Sequence, residues 1–215
     1  MNIQSYFKKG ETSLMLQGLT GQLEAILQCP EVIKNQNTLA ILGHPHSLYG
    51  GTMQNKVVTT LARTFQDKGI PSLRMNFRGV GLSQGVYDGG VGESDDLLFL
   101  IQEFRKQSPD LQLYLAGFSF GSYVIYRTAV QVPTITKMLI SIAPAVQHYD
   151  FTEFSQPDCP WIIIQGEDDD TAIPSAVYEW HSHLNPQPTL IKMPNTGHFF
   201  HSRLGELKDH LLNVL

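Results

Sequence analysis

LYLAGFSFGSYVIYRTA, residues 113–129, reads as a buried strand, a sharp turn and a helix. The apolar run ends at Ala116, Gly117-Phe118-Ser119-Phe120-Gly121 follows, and residues at helical spacing continue from there. A turn this tight forces strained dihedrals on Ser119, and glycines two residues before and two after it leave room for neighbouring backbone. It would lift the Ser119 hydroxyl clear of the sheet and aim the N–H of Phe120 at an oxyanion forming beside it. The five-residue pattern alone arises by chance in any loop rich in glycine and serine. Its place between a buried strand and a helix is what marks Ser119 as a candidate nucleophile.

The chain has 215 residues, 42% of them hydrophobic, enough for one sizeable core, so a single domain over residues 1–215 is expected. A formal net charge of −5 with scattered basic residues speaks against a nucleic-acid partner or an anionic membrane surface. The opening residues MNIQSYFKKG lack an apolar core of signal-peptide length. No run reaches the roughly 18 apolar residues of a membrane span, and a cytoplasmic location is expected. Cys29 and Cys159 are too few for a disulfide framework and lack metal-site spacing, and both are read as reduced, buried thiols.

Outward from the serine turn, the sequence alternates strand and helix. Ser13 to Gln28 holds two alternating runs joined by Leu19-Thr20-Gly21, an antiparallel hairpin at a sheet edge. Thr38 to Gly43 is an unbroken apolar run of the kind found in a parallel sheet covered on both faces. Helical spacing over Asn55–Lys68, a strand at Ser72–Phe77, a glycine-rich loop and a helix over Glu93–Lys106 lead to the strand Leu111–Ala116. Beyond the serine come strands near Lys137–Ile142 and Trp161–Gln165, a helix around Ser175–Leu184, a strand at Thr189–Met193 and a terminal helix from Arg203. Such repeated units predict an α/β fold: a doubly wound, mostly parallel sheet with an N-terminal antiparallel hairpin. Only about twenty residues join the strand near Ile140 to the one at Trp161, too few for a cap domain. A shallow, open cleft edged by Tyr49, Phe118 and Phe120 is therefore expected.

A serine hydroxyl is a poor nucleophile at neutral pH; it needs an imidazole to take its proton, and the imidazole needs a carboxylate to fix its tautomer. The strand WIIIQ runs into Gly166-Glu167-Asp168-Asp169-Asp170, and the next strand ends in Pro194-Asn195-Thr196-Gly197-His198-Phe199-Phe200. Loops after successive parallel strands open on the same side, so a carboxylate and a histidine placed there can converge on Ser119. Of eight histidines, His198 is the candidate base, since it follows a glycine at a strand exit and precedes two aromatics, and His201 is the alternative. Distance from the strand end favours Asp169 as the orienting acid, whereas counting back from Ile173-Pro174 favours Asp170. On the first count Asp170 caps the following helix or accepts N–H bonds in the turn.

Other motifs invite chemistry less strongly. Glu93, Asp95 and Asp96 are read as first-turn acids that offset a helix dipole. His181 and His183, two apart on a helix, point to different faces, and His44 and His46 at a strand end leave a metal as a minor alternative to the expected absence of any metal. The loop Gly43–Gly51 leaves a strand where a second oxyanion donor usually lies. Pro45 has no N–H, so the amide of His46 is chosen, with Ser47 as alternative. The loop Arg78–Gly85 misses dinucleotide spacing by one residue and reads as a turn bracing the same face.

Taken together, HPHSLYGG, NFRGVGLSQG, DGGVGE, LAGFSFGSYV, IQGEDDD and GHFFHSRL resemble the small, lid-poor bacterial α/β-hydrolases of the dienelactone-hydrolase-like and serine-aminopeptidase-like group. The resemblance runs from about Thr38 onward and implies Ser119 as nucleophile, His198 as base and a carboxylate after Gly166. The family's spacing before the proline appears with one extra residue ahead of Pro174. The expected activity is that of a carboxylesterase-like or thioesterase-like serine hydrolase. It would act without a cofactor on a small-molecule ester, thioester or activated amide, as a monomer or homodimer. The alternative is a non-catalytic binding protein of the same fold.

Overall fold

The structure, a computed structural model, describes residues 2–215. Its strands are β1 (Gly10–Gln17), β2 (Gln22–Cys29), β3 (Thr38–Gly43), β4 (Ser72–Met75), β5 (Gln112–Phe118), β6 (Thr136–Ile142), β7 (Trp161–Gly166) and β8 (Thr189–Met193). They join into one eight-stranded sheet in the order β1-β2-β4-β3-β5-β6-β7-β8. The hairpin β1-β2 and its pairing to β4 are antiparallel, and the pairings from β4 to β8 are parallel. Five helices cover the sheet: α1 (Lys56–Asp67), α2 (Val91–Gln107), α3 (Phe120–Ala129), α4 (Pro174–Ser182) and α5 (Leu204–Val214).

Strand β5 shows why the sheet is covered on both sides. Alternate residues point to opposite faces, and here both sets are apolar. Leu113 and Leu115 pack into the core that holds Leu100 and Phe104 of α2 and Val124 of α3. Ala116 and Phe118 pack into the second core, with Val58 and Leu61 of α1 and Leu207 and Leu211 of α5. Every residue of α3 is buried, including Arg127, whose guanidinium bonds Glu153 and lies 4.9 Å from the Phe154 ring.

That contact is part of what holds the connection between β6 and β7. Residues 143–160 contain no helix or strand. They lie down on α3, where Tyr126 Oη donates to the carbonyls of Phe151 at 2.7 Å and Phe154 at 3.1 Å, and the Phe151 ring packs tilted against Tyr126 and edge-on against Trp180. Pinned in this way, the segment does not form a lid over the C-terminal strand ends.

One reading of the acidic trio needs correction. Glu93 does stand in the first turn of α2 and accepts the amides of Asp88 and Gly90. Asp96, however, is buried, accepting the Leu19 amide at 3.0 Å and Arg78 Nε at 2.8 Å. It ties the β1-β2 turn to the loop after β4, a role that its spacing within one helix could not reveal. The same loop is braced by Glu24, which accepts Asn76 Nδ2 and the Leu82 amide. Cys29 is buried and Cys159 half-buried; both are free thiols, and burial raises each to about 11. No helix among the described residues is long and apolar enough to cross a membrane.

Candidate active site

Ser119 sits between the end of β5 and the start of α3 with φ 54° and ψ −119°. For a residue with a Cβ this conformation costs about 1–3 kcal/mol and persists only where the surroundings impose it. They do so here through contacts. The Ser119 amide donates to the Ile142 carbonyl at 2.8 Å, and Ser122 Oγ donates to the carbonyls of Gly117 and Ile142. A Cβ on Gly117 would lie 2.2 Å from the Gly121 carbonyl, and one on Gly121 would lie 2.4 Å from the Gly43 carbonyl. The flanking glycines are thus required by close backbone approach.

Ser119, His198 and Asp169 are 6%, 5% and 4% exposed and meet in one line. His198 Nδ1 lies 2.9 Å from Asp169 Oδ2, and His198 Nε2 lies 3.1 Å from Ser119 Oγ. An ionised carboxylate only accepts, so Nδ1 carries the ring proton and Nε2 is left to accept the serine O–H. Asp169 is held in turn: Oδ1 accepts the amides of Thr171 at 2.8 Å and Ala172 at 2.7 Å, and Oδ2 accepts Gln165 Nε2 at 3.2 Å. Asp170 and Asp168 are exposed, and Asp170 accepts only the Thr171 hydroxyl, at 3.2 Å. The expectation that Asp170 caps the next helix or gathers turn amides is therefore corrected; Asp169 gathers them, and the residue at the N-cap of α4 is Ile173.

A cavity of about 280 Å³ opens above Ser119 and His198, bordered by Pro45, His46, Tyr49 and Phe199. Phe120 is the first residue of α3, so its N–H belongs to the turn where the helix offers no acceptor. Among the described residues the His46 N–H has no hydrogen-bond partner. The expected rim is right at Tyr49, which is 86% exposed, and wrong at Phe118 and Phe120, both fully buried. Phe118, at the strand end, faces the α1/α5 side and underlies His198 with ring centroids 4.9 Å apart. Phe120 turns into an aromatic cluster with Phe77, Tyr87 and Tyr149. Phe199 takes the outer position, while Phe200 is buried in the core. His201 is exposed, with its ring 5.8 Å from that of Phe199.

The sequence of residues 48–157 matches the family model described as serine aminopeptidase, S33. A solved α/β serine hydrolase without lid from Xanthomonas campestris is 43% identical, covering 96% of this chain and 94% of that one, with a TM-score of 0.89. An α/β serine hydrolase homologue from Coxiella burnetii is 38% identical with the same TM-score, covering 97% of this chain and 99% of that one. An uncharacterized protein of Rickettsia prowazekii is 33% identical over 188 residues, 82% of this chain and 79% of its own. The chain belongs to the serine aminopeptidase S33 family of α/β-hydrolases. Like the Xanthomonas campestris protein, which is described as having no lid, this chain carries no helix or strand in the connection between β6 and β7.

In this hydrolase the histidine pair at the end of β3 has no metal-like arrangement, and no group of three or more potential ligands occurs among the described residues. His44 is fully buried, donates Nδ1–H to the Pro45 carbonyl at 2.6 Å and accepts the Phe77 amide on Nε2 at 3.0 Å. Both ring nitrogens are spent on holding the loop. Burial lowers His44 to about 4, against 6.5 for the free side chain. Between those values the unfolded chain binds the extra proton, so stability present at neutral pH is lost as pH falls from 6.5 toward 4, by about 2–3 kcal/mol. Urea unfolding at pH 7 and pH 4.5 should show this loss in the native hydrolase and a loss smaller by that amount in His44→Gln; identical pH dependences would contradict it. Among residues of the site, Gln165 escaped the sequence reading. Its signal was a lone amide near the end of an otherwise apolar strand, where it bonds Asp169 and the Gly166 and Ala172 carbonyls.

Proposed function

We propose that this hydrolase cleaves small esters, thioesters or activated amides through an acyl-enzyme, with Ser119 as nucleophile, His198 as general base and Asp169 as the orienting acid. The observation that carries the reading is the buried line from Ser119 Oγ through His198 to Asp169, with hydrogen-bond distances of 3.1 and 2.9 Å. Ser119 Oγ adds to the substrate carbonyl as its proton passes to His198 Nε2. The resulting oxyanion takes hydrogen bonds from the amides of Phe120 and His46. Collapse expels the leaving group, which takes the proton from His198, and water repeats the sequence to release the acid and free Ser119. Asp169 remains ionised throughout and stabilises the imidazolium. These groups complete the reaction, and the chemistry calls for no cofactor.

The test is turnover of a chromogenic short-chain acyl ester by the purified protein, with a thioester and an activated anilide in parallel. Hydrolysis of none of the three would contradict the proposal. Cavity size then bears on selectivity. About 280 Å³ with no lid above it suits a short acyl group, and an apolar pocket discriminates by only about 1–3 kcal/mol per methylene. Across an acetyl to dodecanoyl series, kcat/KM is expected to peak at short chains and decline gradually. A sharp optimum at long chains would show that the cleft binds more substrate than its open shape suggests.

A further inference from the structure

His46 is the hub of the loop that leaves β3. Its carbonyl accepts the amides of Tyr49 at 3.1 Å and Gly51 at 3.0 Å, and its Nδ1 accepts the Leu48 amide at 3.2 Å. A nitrogen that accepts carries no proton, so in the neutral ring the proton sits on Nε2. Nε2 lies 3.2 Å from Tyr87 Oη and donates to it. Tyr87 in turn has Tyr149 Oη as its remaining polar neighbour, at 3.3 Å, and turns its own O–H there. Each link sets the direction of the next. The chain crosses from the loop after β3, through the loop after β4, to the connection between β6 and β7.

The rings reinforce it. The His46 ring stacks on Tyr87 with centroids 5.0 Å apart and packs against Tyr49 and Phe120 at 4.6 and 5.3 Å. Burial, and then the nearby His148, push His46 below its ordinary imidazole range, which favours the neutral ring that the chain needs.

We propose that Tyr87 is a positioning residue for acyl transfer, fixing through His46 the backbone amide that receives the oxyanion, with Tyr149 fixing Tyr87. The proposal rests on the reading of the His46 N–H as an oxyanion donor. Without Tyr87 Oη the His46 Nε2–H loses its partner, the ring is free to turn, and the amide it anchors shifts. An oxyanion exists only beyond the ground state, so the loss falls on kcat and leaves KM nearly unchanged.

The experiment measures kcat and KM on the chromogenic ester for the native protein, Tyr87→Phe, His46→Asn and the double variant. An asparagine oxygen still accepts an amide two residues on, so His46→Asn keeps the turn while removing the link to Tyr87 and the ring's packing on Tyr49 and Phe120. Each single change is expected to lower kcat about tenfold with KM within about twofold. The double variant should fall no further than the weaker single, because both cut one chain. Tyr149→Phe is expected to lose about threefold. A native kcat in Tyr87→Phe, a loss confined to KM, or losses that multiply in the double variant would each overturn the proposal. If Tyr87→Phe fails to fold, His46→Asn and Tyr149→Phe decide by the same kcat criterion. An inactive native protein would refute the hydrolytic reading itself and this inference with it, whereas an active one with native-like variants refutes this inference alone.

Discussion

Ser119→Ala is expected to lower kcat on a small acyl ester by about 10⁶ while leaving folding and stability nearly native. The hydroxyl is the atom that attacks, and no neighbouring oxygen is placed to replace it. Ser122 Oγ, three residues on, is committed to the carbonyls of Gly117 and Ile142. Ser119 Oγ makes one hydrogen bond, to His198 Nε2, so removing it leaves one partly screened acceptor and a gap of one oxygen. Residual activity should be the small part that comes from the amides of the oxyanion site. A variant that keeps more than about a tenth of the native rate lies far outside that range and would exclude Ser119 as the nucleophile.

Asp169→Asn should cost about 10⁴ in kcat, and Asp170→Asn little. The direction follows from the donors around Asp169. Oδ1 faces two backbone amides, those of Thr171 and Ala172, and only an oxygen is tolerated there. An asparagine must therefore put its NH₂ where Oδ2 now accepts from His198 Nδ1 and Gln165 Nε2. Donor would face donor. His198 relieves this by moving its proton to Nε2, and that nitrogen then cannot take the serine proton. Asp170 is exposed and has no contact with His198. A large loss in Asp170→Asn beside near-native Asp169→Asn would reverse the assignment of the acid without touching Ser119 or His198.

What the sequence disclosed follows from how local the constraint is. The serine turn was legible because the close approaches at Gly117 and Gly121 admit only glycine, and that requirement is written at fixed offsets from Ser119. Which carboxylate meets His198 could be read from the end of β7, since the sheet fixes where it emerges: Asp169, the third residue after Gly166, lies 2.9 Å from His198 Nδ1. Side-chain direction at the elbow was not legible. Phe118 and Phe120 flank the serine, yet the strained backbone between them sends one ring under His198 and the other into the aromatic cluster. Contacts between loops were equally hidden. Tyr87 and Tyr149 stand 62 residues apart in segments without periodicity, and Asp96 finds Arg78 from a different element. His44 illustrates the same limit: a histidine two residues from another looks like a ligand pair until both of its ring nitrogens are seen bonded to backbone.

Covalent labelling tests most directly whether Ser119 is an activated nucleophile. The folded native protein would be treated with a fluorophosphonate, digested and analysed by mass spectrometry, with His198→Ala treated in parallel. The predicted result is one phosphonyl group on Ser119 in the native protein and very slow labelling in the variant. An unmodified Ser119, or a label placed elsewhere, would contradict it.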